Sequence, residues 1–145
     1  MSRRVVVTGL GGVGAYGAGR AALAQALARS EAALAAVERP PGYHHPRSAR
    51  AAALVAPAAL VPWLPPGAAR RMSPPSRFAV AAARSALADA GIDESDPAPT
   101  ACVLANAYGP TSFTEKLLRQ ILLDGPEAAS PSLFTECVAN APAAQ

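Results

Sequence analysis

A few groups of residues in this chain have types or spacings that chemistry uses. Gly9-Leu10-Gly11-Gly12-Val13-Gly14 follows the apolar run Val5-Val6-Val7. Gly9-x-Gly11-x-x-Gly14 after a predicted strand is the pattern that lets a backbone approach the pyrophosphate of a dinucleotide. Cys102 and Cys137 are the two thiols, and Cys137 stands next to Glu136. His44 and His45 are the two imidazoles and lie side by side. Large aromatic side chains are few; Tyr108 precedes Gly109, and Phe134 lies in the segment opened by Ser130-Pro131.

Each group is tested by what surrounds it. A dinucleotide site needs a second strand soon after the glycines, ending in an acidic residue about twenty positions on that holds the ribose hydroxyls. Glu31 and Glu38 lie near that distance, but both sit in or beside an alanine-rich helical stretch with prolines following. The βαβ unit does not close, and a Rossmann-type NAD(P)-binding protein is the weaker alternative. The cysteines lack CxxC spacing, and two adjacent histidines in a loop point apart, so no zinc constellation is written here. The negative charge of Glu136 opposes a thiolate at Cys137, which therefore reads as a structural cysteine. Cys102, inside a predicted strand, reads as a small hydrophobe. These residues imply no cofactor and no catalytic set.

The elements that must carry these residues are legible in part. Residues 3–8 predict a strand buried on both faces, followed by the glycine turn and an Ala/Leu helix over 18–29. Residues 35–72 are interrupted by Pro40-Pro41-Gly42, Pro46, Pro57, Pro62 and Pro65-Pro66-Gly67. They predict a long irregular excursion with one short helix near 48–55, of the kind that serves function or acts as a packing arm. Ser73 as N-cap, Pro74 at the first helical position and Gly91 as C-cap frame a helix from 74 to 90. Residues 100–106 predict a second buried strand. Ser112 with Glu115 is a capping box for a helix that Gly125-Pro126 closes, and Ser130-Pro131 starts a last segment. Strands joined by helical crossovers make this an α/β chain with mostly parallel strands.

Composition bounds the partners. The net charge of +3 is too small to argue for nucleic acid. Its distribution is uneven: residues 1–84 hold eleven arginines against Glu31 and Glu38, whereas residues 85–145 hold Lys116 and Arg119 against eight acids. A basic half suits phosphates or an acidic carrier protein. Half the residues are hydrophobic, but with much alanine and only 5% aromatic the core is modest, as in one part of a larger body or a subunit that covers a face. The apolar stretch from Ala51 to Leu64 is broken by Pro57 and Pro62 and cannot span a bilayer. Ser2-Arg3-Arg4 superficially matches a twin-arginine leader, but the glycine-rich segment after it reads better as the first strand of a fold. With two isolated cysteines, the expectation is a soluble cytoplasmic protein with no membrane association.

Three blocks carry a wider resemblance. Arg4-Val5-Val6-Val7-Thr8-Gly9-Leu10-Gly11 with Tyr16-Gly17 resembles the opening of β-ketoacyl-acyl-carrier-protein synthases. Ser76-Arg77-Phe78-Ala79-Val80-Ala81-Ala82-Ala83 through Leu87-Ala88-Asp89-Ala90-Gly91-Ile92 resembles the family's first long helix. Gly125-Pro126, Ser130-Pro131 and Asn140-Ala141-Pro142-Ala143 are similar to its Gly-Pro, Ser-Pro and Asn-x-x-Ala sequence. The resemblance implies the N-terminal portion of a thiolase-like α/β fold from fatty-acid or polyketide biosynthesis. Its family reaction is decarboxylative condensation of an acyl thioester with malonyl-acyl carrier protein.

The family chemistry uses a cysteine at a helix N-terminus and two histidines. In the family the nucleophile lies in a Thr-Ala-Cys block a short way beyond the position of Gln145, and the histidines lie further on. The resemblance therefore covers about the first third of a ketosynthase and implies that this chain alone holds none of the three. It places Tyr108 where the family has glycines and an aliphatic residue bordering the acyl tunnel; Asn106, Tyr108 and Pro110 depart from that pattern and put acyl selectivity in question. Phe134 resembles residues near the dimer interface and tunnel, with core packing as its other reading. Tyr108 and Phe134 are thus the candidate substrate-binding residues. Acyl carrier protein, an acyl thioester and a ketosynthase, in a homo- or hetero-oligomer, are the implied partners. Two accounts stand: a portion of a split condensing enzyme, or a non-catalytic subunit packing on a true ketosynthase.

Overall fold

Ser73, Pro74 and Gly91 frame the longest element. The computed structural model describes residues 4–30, 32–38, 49–95 and 100–145. In chain order these form β1 (Val13–Gly14), β2 (Gly17–Ala18), α1 (Arg20–Arg29), β3 (Ala35–Ala36), β4 (Ala51–Ala52), α2 (Pro66–Ala69), α3 (Pro74–Ala90), α4 (Thr111–Asp124) and α5 (Pro131–Cys137), with 3-10 turns at Pro57–Ala59, Pro126–Ala128 and Ala141–Ala144. The α3 caps are as the sequence predicts. The Ser73 hydroxyl accepts from the Ser76 N–H, and Gly91 takes the left-handed conformation at φ 68° that ends the helix.

The glycines at the start of the chain lie against this helix. A Cβ at Gly9 would stand 2.7 Å from the Ala90 nitrogen and 2.8 Å from its Cβ. One at Gly11 would stand 2.5 Å from the Ala86 nitrogen and closer still to the Ala82 carbonyl and the Ser85 hydroxyl. Ala82, Ala86 and Ala90 recur every fourth residue and so form one row along α3. Between the two glycines, the Leu10 N–H donates to Asp89 Oδ2 at 3.0 Å. Asp89 Oδ1 pairs with Arg20 Nε at 2.9 Å. One carboxylate thus ties the glycine segment and the first turn of α1 to the end of α3.

The core lies on the other side of the helix. Leu64, Met72 and Ala81 are buried, with Val13, Leu60, Trp63, Ala69 and Val80 packed around them. Arg84 fixes the excursion to α3 by donating to the Trp63 carbonyl at 2.8 Å and pairing with Glu94 at 2.9 Å. After α3, Asp93 accepts from both the N–H and the hydroxyl of Ser95, which close a turn and hold its carboxyl below the usual value. In the second half α4 packs on α5, Leu117 is buried, and Ser130 N–H donates to Gln120 Oε1 at 3.2 Å.

Several expectations are corrected. Of residues 3–8, expected as a strand buried on both faces, the described 4–8 belong to no ladder among the described residues, and Val5 and Val7 are 94% and 80% exposed. Residues 100–106 likewise form no strand ladder among the described residues, with Val103 95% exposed. A strand exists only beside a hydrogen-bonding neighbour, and no described segment forms a ladder with either run. Where parallel strands were expected, both ladders among the described residues are antiparallel, β1 with β2 and β3 with β4. The first helix starts at Arg20 because Gly17 and Ala18 are engaged in the β1–β2 pair. In place of the short helix near 48–55, Ala51 and Ala52 pair with Ala35 and Ala36. The Ser112–Glu115 capping box does not form, since α4 begins at Thr111 after Pro110 and Ser112 already lies inside its first turn.

Two measurements check this account. Gly11→Val forces side-chain atoms into the α3 backbone and is expected to lower the unfolding free energy by about 1–3 kcal/mol in urea titration, whereas Gly67→Ala, with open space around it, is not. The Asp93 carboxyl is expected to titrate below an ordinary aspartate by NMR. Its folded value is lowered, so the turn's contribution is fully present above the unfolded value and is lost as pH falls through the folded one. Ser95→Ala keeps the N–H that lowers the value most and removes only the hydroxyl, so it should raise the midpoint part of the way.

Candidate functional site

The most completely hydrogen-bonded buried group in the second half is a carboxylate. Glu136, on the last turn of α5, is 3% exposed. Its Oε2 accepts from the Ser73 N–H at 2.7 Å and from the Ser76 hydroxyl at 2.9 Å, and its Oε1 accepts from the Gln145 side-chain amide. With its proton directed to Glu136, Ser76 Oγ is left to accept from the Ser73 hydroxyl 2.9 Å away. The carboxylate therefore lies at the N-terminus of α3, where the orphan N–H groups and the helix dipole favour negative charge. Its neighbours donate to it and none supplies a formal positive charge, so these bonds offset the cost of burying it.

A cavity of about 680 Å³ opens beside this node. Val80 and Leu87 of α3, Val103 and Leu104 of the 100–106 run, and Pro142 and Gln145 at the last turn form its walls. Gln145 thus faces both the cavity and Glu136. The ion pair of Arg84 with Glu94 and the Asp93 carboxylate stand on its polar side. A second cavity of about 490 Å³ lies across Arg84, between Trp63 and Leu87.

The sequence-predicted site residues fall elsewhere. Tyr108 is 87% exposed on the turn before α4, and Phe134 is 62% exposed on α5. Neither lines these two cavities. The turn that carries Tyr108 is nonetheless held to the end of α5, because Asn106 Nδ2 donates to the Ala139 carbonyl at 2.8 Å. Leu118, Leu122 and Leu123 of α4 are also exposed, as is Val138 just after α5, so both helices carry uncovered apolar side chains.

Cys137 ends α5, where the helix offers carbonyls instead of the N–H groups that support a thiolate. Cys102 is exposed at the cavity wall, not buried as a strand hydrophobe would be. His44 and His45 lie outside the described residues. The β1–β2 hairpin stands between Gly9-x-Gly11 and the N-terminus of α1, so these glycines do not lead directly into a helix. Glu136 escaped the sequence reading as a binding group; its one signal was an acid placed among apolar and small residues just before Asn140-Ala141-Pro142.

The class defined by this arrangement is a thiolase-like α/β fold, with its helices present and its longer strand runs uncovered. A family model described as "Beta-ketoacyl synthase, N-terminal domain" matches residues 2–145, and the chain belongs to that family. Among solved structures it is similar to "The ishigamide ketosynthase/chain length factor", at 27% identity with a TM-score of 0.74. That similarity covers 98% of this chain and 36% of the other, so the chain spans about a third of that structure's length. No curated protein matches. No helix among the described residues is long and apolar enough to cross a membrane.

Ser76→Ala removes a donor from the buried Glu136 carboxylate. It is expected to destabilise the chain by about 1–3 kcal/mol in chemical denaturation, while Ser132→Ala at an exposed position costs little.

Proposed function

We propose that this chain supplies the N-terminal scaffold of a ketosynthase that condenses an acyl thioester with malonyl-acyl carrier protein. The observation that carries the reading is the family match across residues 2–145. It is joined by two runs, 4–8 and 100–106, that expose valines and belong to no strand ladder among the described residues. Such edges call for further strands to cover them. The Thr-Ala-Cys block and the two histidines come from polypeptide beyond Gln145 or from an associated chain. In this division of labour, residues 4–145 hold the long helix and the α4–α5 layer in place. The catalytic groups supply the thiolate and the oxyanion donors.

The exposed faces of α4 and α5 suit a contact with a second ketosynthase-fold subunit, with Phe134 at that contact and Tyr108 at the acyl channel. The arginine-rich first half, including the exposed pair Arg70 and Arg71, suits an acidic carrier protein. A second reading is favoured by the similarity to a ketosynthase/chain length factor: a subunit without its own nucleophile that packs on a catalytic ketosynthase.

The test joins or co-expresses this chain with a polypeptide carrying the Thr-Ala-Cys block and both histidines. The assembly is expected to take an acyl group from acyl carrier protein onto cysteine, seen by intact mass, and to release CO2 from malonyl-acyl carrier protein. The chain alone is expected to do neither and to self-associate in sedimentation. Stable capture by an intact ketosynthase, with no acylation in the joined assembly, would favour the subunit reading. A lone chain that is a stable monomer and shifts its melting temperature with NAD would overturn both.

A further inference from the structure

We infer that Glu136 is a positioning residue that latches the polypeptide around Gln145 onto the N-terminus of α3; its consequence for catalysis rests on the form of the proposed function in which the nucleophile block follows Gln145. The carboxylate is buried, and its two oxygens divide their work. One oxygen takes the Ser73 N–H and the Ser76 hydroxyl. The other takes the Gln145 amide. The Ala141–Ala144 turn between them packs on α3, and Ala141 and Pro142 are buried.

A simple helix staple needs only the first oxygen. The second reaches past the end of α5 to the residue at the cavity wall and fixes the direction in which the chain leaves the turn. Gln145 is itself exposed at the end of the 3-10 turn, and the bond to the buried carboxylate sets its orientation. Glu136 touches no reacting atom; it acts through Gln145.

Because glutamine retains one acceptor oxygen and the Gln145 amide can turn over, Glu136→Gln can rebuild the network without charge. Glu136→Ala cannot. Gln145→Ala severs only the outer bond and leaves the α3 staple in place.

In the chain itself, amide hydrogen exchange over residues 141–145 is expected to quicken by about tenfold in Gln145→Ala and in Glu136→Ala, but little in Glu136→Gln. Exchange over α3 should change only in Glu136→Ala. In the joined assembly, Gln145→Ala is expected to slow cysteine acylation by about tenfold in kcat at unchanged KM for the acyl thioester and near-unchanged Tm, with Glu136→Gln close to wild type. Unchanged exchange over 141–145 in Gln145→Ala, or an acylating assembly in which Gln145→Ala leaves kcat intact, overturns the positioning role alone. An unsubstituted assembly that takes no acyl group overturns the proposed function and, with it, the role assigned to Gln145, while the exchange arm still reports whether the latch exists.

Discussion

The closeness of two backbones governs this structure. Gly9 and Gly11 lie so near α3 that a single added carbon at either position would enter the helix backbone around Ala82, Ala86 and Ala90. Packing density at such a seam leaves little room for relaxation, because the nearest obstructing atoms are backbone atoms of a helix. The seam sets where the opening segment runs, and Asp89 locks its register by holding Leu10 and Arg20 at once. With that face of α3 occupied by backbone, the helix turns Ala81 and Val80 toward Leu64, Met72 and Trp63. A glycine pattern that elsewhere makes room for a phosphate here makes room for a helix.

The other end of α3 is organised by charge. Its N-terminal N–H groups meet the carboxylate of Glu136, which arrives from α5 far along the chain. A glutamate so buried is costly unless its oxygens find donors, and Ser73, Ser76 and Gln145 provide them. The two ends of one helix thus gather most of the described molecule. The C-terminal end takes the glycine segment and α1, and the N-terminal end takes α5 and the last turn. The exposed valines of 4–8 and 100–106 lie outside this arrangement, in runs that join no ladder among the described residues.

Local signals read correctly where the interaction partners are near in sequence. The N-cap at Ser73, the left-handed cap at Gly91, the end of α4 at Gly125 and the start of α5 after Ser130-Pro131 all depend on residues within a turn of one another. The capping box at Ser112 failed by one position, because Pro110 begins the helix before the serine can serve it. The strand readings of 3–8 and 100–106 met no ladder among the described residues, because pairing depends on neighbours that no local pattern contains. The Ala35–Ala52 pairing was hidden for a related reason: alanines carry no alternation to mark a strand, and their partners lie across the excursion.

The sequence by itself determined the family and the thiolase-like class, through three blocks whose order and spacing survive without any contact being known. It also determined the frame of α3, since caps are short-range chemistry. Only the tertiary structure decided what Gly9 and Gly11 are for, where Glu136 points, and that Tyr108 and Phe134 stand on exposed surfaces. Those outcomes depend on which distant segments meet. A glycine reads the same beside a phosphate or a helix, and an acid beside a cysteine reads as solvated until a helix N-terminus is found against it.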